Sequence, residues 1–166
     1  LPRSSYGAFS RRTPVTNPTP PNATENDVTA LVRIVREFSA DSGTIHFLGA
    51  DGHLHLSAAT PGMPENVLAI IQTIPVGKGM AGLAVERRQP VNACNLQTDT
   101  SGDVRPGAKA TGLAGSIVVP IFDGSAVVGA LGVANRSERT FNDDEITRLL
   151  EEGRRLAFRH GQNERG

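Results

Sequence analysis

Between Gly115 and Asn135 the chain reads GSIVVPIFDGSAVVGALGVAN, two runs of β-branched and small apolar residues meeting at Asp123-Gly124. An Asp-Gly pair between such runs is a strong hairpin signal, because glycine accepts the positive φ that a tight turn needs. With the turn at Asp123-Gly124, period-two alternation puts Ile117, Val119, Ile121, Ala126, Val128 and Ala130 on one face. Val118, Phe122, Val127, Leu131 and Val133 then share the other. Neither face is polar, so these strands belong inside a sheet that is covered on both sides.

The flanking sequence supplies the covers. Thr24 or Asn26 is a good helix cap, and Val28, Leu31, Val32, Val35 and Phe38 follow at helical spacing up to Ser42-Gly43. After the hairpin, Phe141 staples a helix that Asn142 caps, with Asp143, Asp144 and Glu145 at its positive end. Ile146, Leu149, Leu150 and Leu156 form its apolar stripe to about Arg159. Shorter helices are expected over Glu65 to Gln72 and Met80 to Arg87, the second stopped before Pro90. Val91 to Cys94 reads as a short strand.

A second hairpin is signalled by Asp51-Gly52 between Thr44–Leu48 and His53–Ala59. Taking those two residues as the turn pairs Ala50 with His53, Leu48 with His55 and His46 with Ser57. Ile45, Phe47, Leu54, Leu56 and Ala58 then share one face, and His46, Leu48, His53, His55 and Ser57 the other. The sum is an α+β domain, a mainly antiparallel sheet flanked by helices.

Residues 1–23 carry Pro2, Pro14, Pro18, Pro20 and Pro21 among polar residues and read as an extended or disordered arm. The domain is expected over 24–160, with 161–166 a tail. At 166 residues, 38% hydrophobic and 20% charged, one globular domain accounts for the rest. Basic and acidic residues balance at 17 each, so no global field gathers nucleic acid or an anionic membrane, and neither is an expected partner. No apolar run approaches the roughly 18 residues of a spanning helix, and no signal-peptide pattern is present. A cytoplasmic setting is expected, and the start at Leu1 fits a piece of a longer protein.

Gly77-Lys78-Gly79-Met80-Ala81-Gly82 matches G-x-G-x-x-G, but Pro75 precedes it and Pro90 cuts its helix short, which fits a tight structural turn rather than a dinucleotide site. The register above brings His46, His53 and His55 together, close enough to share a metal. The local sequence sets no carboxylate or thiol beside them, so they read as a polar face and no metal site is assigned. Cys94, the one cysteine, excludes a disulfide framework and reads as a buried small apolar residue. The polar stretch from Asn95 to Gly115 is long enough to be functional.

Taken together, IPVGKGMAGLAVERRQPVNACN, VPIFDGSAVVGALGVAN and TFNDDEI resemble the GAF family of small-molecule-sensing domains over about Thr24 to His160. The resemblance implies a non-catalytic signalling domain with a pocket between the central sheet and a lid of the two short helices and the Asn95–Gly115 loop. Ala130, Gly132 and Ala134 leave volume on one sheet face for a small ligand. Gln97, Asp99, Arg105, Thr111 and Ser116 are the expected polar anchors, Arg105 offering a guanidinium to an acidic group. Relatives that reduce free methionine sulfoxide use cysteines in this loop, which here has none, so a redox enzyme using Cys94 lacks a resolving thiol. Bilin attachment finds no cysteine in the expected place. The cyclic-nucleotide signature of phosphodiesterase relatives is matched only partly by Asn135-Arg136, Phe141 and Asp144-Glu145, with Arg for Lys and a shortened spacing. The alternative function is a ligand-free dimerisation or docking module, its seam formed by Val28, Leu31, Val35 and Phe38 with Ile146, Leu149 and Leu150.

Overall fold

The computed structural model describes residues 26–104, 106–109 and 111–165. In chain order these form α1 (Asp27–Glu37), β1 (Ser42–Leu48), β2 (His53–Ala59), α2 (Glu65–Ile71), β3 (Thr73–Pro75) and α3 (Gly79–Arg87). They continue with β4 (Val91–Ala93), the single turn α4 (Pro106–Lys109), β5 (Ser116–Asp123), β6 (Ala126–Ala134) and α5 (Asp143–Arg165). The six strands make one antiparallel sheet in the order β3-β2-β1-β6-β5-β4. The α+β expectation holds, and the β5–β6 hairpin lies inside the sheet. Among the described residues no helix is long and apolar enough to cross a membrane. The proposed arm, residues 1–23, lies outside the described residues.

One sheet face is covered by α1 and α5. Ala30, Leu31 and Ile34 of α1, Phe38 at its C-cap, and Leu149, Leu156 and Ala157 of α5 bury themselves against Ile45, Phe47, Ile117, Val119, Ile121, Leu131 and Val133. The stripe of α1 thus turns on Ala30 and Ile34, while Val28 is 44% exposed. Leu31, Val35, Phe38 and Leu149, expected at a dimer seam, belong to this core. Asn26 caps α1, its side-chain oxygen accepting from Thr29 N–H at 2.9 Å. Asn142 and Glu145 form a reciprocal capping box at α5, with bonds of 2.8 and 3.0 Å. The Asn142 N–H, chiefly, holds the Glu145 carboxyl below its usual range; burial opposes the shift and the Arg139 guanidinium adds to it. The helix continues through Arg165, beyond the Arg159 expected from its stripe.

Both hairpins differ from expectation by one residue at the turn. The first has a three-residue loop, Gly49 N–H donating to the His53 carbonyl, with Gly52 at φ +78°. Leu48 therefore pairs with Leu54, Phe47 with His55 and His46 with Leu56, until a bulge restores Ile45 opposite Ala58. In the second, Gly124 and Ser125 are the turn and Asp123 pairs with Ala126. A bulge beside Ile121 then moves Leu131 and Val133 onto the face of Ile117 and Val119, and Ala130 onto that of Val118.

The opposite face carries α2 and α3. The third glycine of the G-x-G-x-x-G run brings α3 hard against the edge strand: a Cβ on Gly82 would lie 2.4 Å from the Pro75 carbonyl oxygen. Gly82→Ala is expected to destabilise the fold by about 2–3 kcal/mol, read from urea unfolding, since the obstacle is backbone and α3 must move.

Candidate ligand-binding cavity

Side-chain volume alternates along β6. Its bulky residues, Leu131 and Val133, point to the α1–α5 core, leaving Ala130, Gly132 and Ala134 on the other side. Short side chains cannot fill the space beneath α2 and α3, and a cavity of about 170 Å³ remains there. Its floor is Thr44, Ser116, Val118, Gly132 and Ala134. Val67, Ile70 and Ile71 of α2 form one wall, and Lys78 with the first turn of α3 forms another. Leu96, Ala108, Thr111 and Leu113 close the loop side. Lys78 is the one charged residue among the described residues lining it.

Of the expected anchors, Thr111 and Ser116 line the cavity. Thr111 Oγ1 donates to the Ala108 carbonyl at 2.6 Å, and Ser116 Oγ faces the Val133 carbonyl at 3.4 Å. Gln97 and Asp99 do not line it. Gln97 donates to the Leu113 carbonyl at 2.7 Å, and Asp99 accepts from Ser101 N–H at 2.9 Å, so both hold the loop together. Arg105 lies outside the described residues. Lys78, Thr44 and Met63 were missed as lining residues; the only sequence signal was a lysine at the foot of a glycine-rich helix start.

The histidines do not cluster. His46 is buried, and its Nε2 lies 2.9 Å from the Ile71 carbonyl. A carbonyl only accepts, so Nε2 carries the proton and Nδ1 is left as a buried acceptor without a hydrogen-bond partner among the described residues. His55 lies on the opposite side of β2 from Leu54 and contacts Asp51 at 2.9 Å, which lowers the Asp51 pKa. Asp51 is the carboxylate that local reading overlooked. Among the described residues no group of three or more His, Cys, Asp or Glu is placed to hold a metal.

Cys94 is exposed, contrary to the expected burial, because Val91 and Ala93 take the inward positions of the edge strand β4. It does not line the cavity. Asn135, Phe141 and Glu145 have structural tasks. Asn135 donates to the Ser39 carbonyl at 2.8 Å, and Arg139 bridges Asn135 at 2.9 Å and Glu145 at 2.6 Å while lying over the Phe141 ring.

The family model for the GAF domain matches residues 27–152. This chain belongs to the GAF domain family. No curated protein matches this GAF domain in sequence. Solved structures share its fold at low identity. The GAF domain of an Acinetobacter phosphoenolpyruvate-protein phosphotransferase is 18% identical, covers 86% of this chain and 87% of its own, and superposes with a TM-score of 0.70. Free methionine-R-sulfoxide reductase from Neisseria meningitidis, solved with its substrate, is 19% identical, with coverages of 82% and 80% and a TM-score of 0.65. A domain of a putative two-component sensor histidine kinase from Sinorhizobium meliloti 1021 is 18% identical, with coverages of 82% and 93% and a TM-score of 0.63.

Burial, chiefly, pushes the His46 pKa below its ordinary 6.5; the Ile71 carbonyl opposes the shift and the charge of His55 adds to it. The unfolded chain therefore takes up this proton first, and stability falls as pH drops below 6.5, by up to about 1.4 kcal/mol per pH unit, until the folded state protonates too. Urea unfolding at pH 7.5 and 5.5 is expected to show a larger loss in the wild type than in His46→Gln.

Proposed function

We propose that this GAF domain is a non-catalytic sensor that holds one small molecule between the sheet and the α2–α3 lid. The observation that carries the reading is the apolar cavity, bounded by a rigid floor and by a helix with little anchorage of its own. Val67 is the one residue of α2 that is buried, and Ile70 is 49% exposed. Thr111 and Ser116 are the polar contacts we assign to the ligand, and the Arg105 expectation stands beside them. The chain's single cysteine lies outside the cavity lining, which supports a binding role over the reductase chemistry named for some structural neighbours.

A screen of the full chain by thermal shift against cyclic nucleotides, amino acids, 2-oxo acids, carboxylates, nitrate and divalent metals tests this. One metabolite class is expected to raise Tm by about 5–10 °C at a hundredfold excess over Kd. Ala81→Leu, which fills the cavity from α3, is expected to remove the shift, and Cys94→Ala to leave it intact. Turnover of free methionine sulfoxide that disappears in Cys94→Ala would overturn the non-catalytic reading.

The second reading is a docking module, favoured by Val28 and by Phe158, which is 59% exposed on α5. Concentration-dependent association in light scattering, with no thermal shift from any class, would favour it.

A further inference from the structure

We infer that the cavity selects small amphipathic monoanions, in the class of carboxylates of about four to six carbons, with Lys78 holding the carboxylate and the apolar walls the tail. This rests on the cavity being a ligand site. Three features of the cavity set the class.

The first is charge. Lys78 is the sole charged residue lining it among the described residues, and within that set no hydrogen bond or ion pair engages its ammonium. Lys78 is also the N-cap of α3, where no side chain caps the helix, and Gly79, Met80 and Ala81 of the uncapped first turn line the same space. Backbone N–H groups of that turn and the positive end of the helix dipole thus lie at the same end of the cavity as Lys78. An anion there meets two positive sources and, among the described residues lining the cavity, no carboxylate; the Glu86 carboxylate lies behind the lining, against Gly77.

The second is the chemistry of the walls. Val67, Ile71, Ile74, Met80 and Val118 present hydrocarbon. An amine or a zwitterionic amino acid would bring an ammonium with no counter-charge among the described lining residues, and desolvating it is costly. The third is size. A dry cavity of about 150 Å³ accepts a benzene-sized molecule, so about 170 Å³ takes a body of roughly six to eight non-hydrogen atoms. A nucleotide, with its base, sugar and phosphate, does not fit.

Calorimetric titration of the full chain with hexanoate, hexanamide, hexylamine and norleucine reads the preference directly. Hexanoate is expected to bind at least about tenfold tighter than hexanamide, as a charge-assisted hydrogen bond allows, and to weaken with added salt. Hexylamine and norleucine are expected to bind more weakly than the amide. Lys78→Gln, a change at an exposed position, should bring hexanoate to the level of hexanamide and leave the amide unchanged. Ala81→Leu should weaken both. An amide that binds as tightly as the acid, or an acid preference that survives Lys78→Gln, overturns the inference while the cavity remains a ligand site. Silence from all four probes, with a different class stabilising the protein in the metabolite screen, also overturns the inference and leaves the sensor. Silence in both experiments overturns both.

Discussion

Everything else in this structure follows from a hairpin that cannot leave either face in water. Ile117, Val119, Ile121, Leu131 and Val133 are essentially fully buried beneath α1 and α5. Each such side chain contributes about 1.5–3 kcal/mol by leaving water, so this is the face that holds the domain together. The opposite face of the same two strands carries Ala130, Gly132 and Ala134, which contribute far less. The hairpin thus divides the work within one stretch of sequence: bulky residues build the core, and the small ones between them leave room for something other than protein.

The apolar character of the hairpin was legible because it depends only on composition and alternation. Which residue lies on which face was not, because register depends on the turn and on bulges, and a turn one residue longer, or one bulged residue, inverts the alternation beyond it. Here the β1–β2 turn gained a residue and the β5–β6 turn moved by one, and each hairpin then added a bulge. Nothing in the local sequence marks a bulge at Ser57 or Val128. The consequence is concrete: His46 and His55, aligned by the simple turn, end on opposite faces, and the shared metal that the alignment allowed loses its geometry. The small residues of β6 kept their significance through the shift, since Ala130, Gly132 and Ala134 stay on one common face whichever way the strand is turned.

The polar anchors illustrate a different limit. Gln97 and Asp99 are short to medium side chains in a loop rich in glycine and serine, and such residues satisfy their own loop's backbone first. The same holds for Asn135 and Glu145, whose resemblance to a ligand signature dissolves into a network around Arg139 that ties the end of β6 to the start of α5. The amphipathic stripe of α1 raised a similar ambiguity: apolar spacing shows that a helix has a partner but not whether that partner is its own sheet. Leu31, Val35 and Phe38 found the sheet.

The two lid helices are not equivalent, and the difference bears on how occupancy would reach the rest of the molecule. Along α3, Met80, Gly82, Ala84 and Val85 are all buried, and the close approach of Gly82 to Pro75 fixes the helix against the edge strand. Along α2 only Val67 is buried, and its C-terminal end is tied to the sheet by His46 at the Ile71 carbonyl and by the Leu56 N–H at the Gln72 carbonyl. A helix with few buried contacts opens at lower free energy than one with many. Displacement by a ligand would therefore fall on α2. Its route inward would run through His46, whose strand pairs directly with β6, to the hairpin on which α1 and α5 rest. The buried Nδ1 of His46 gives that link a direction: a proton there would have no acceptor among the described residues, so the tie favours the neutral, closed arrangement.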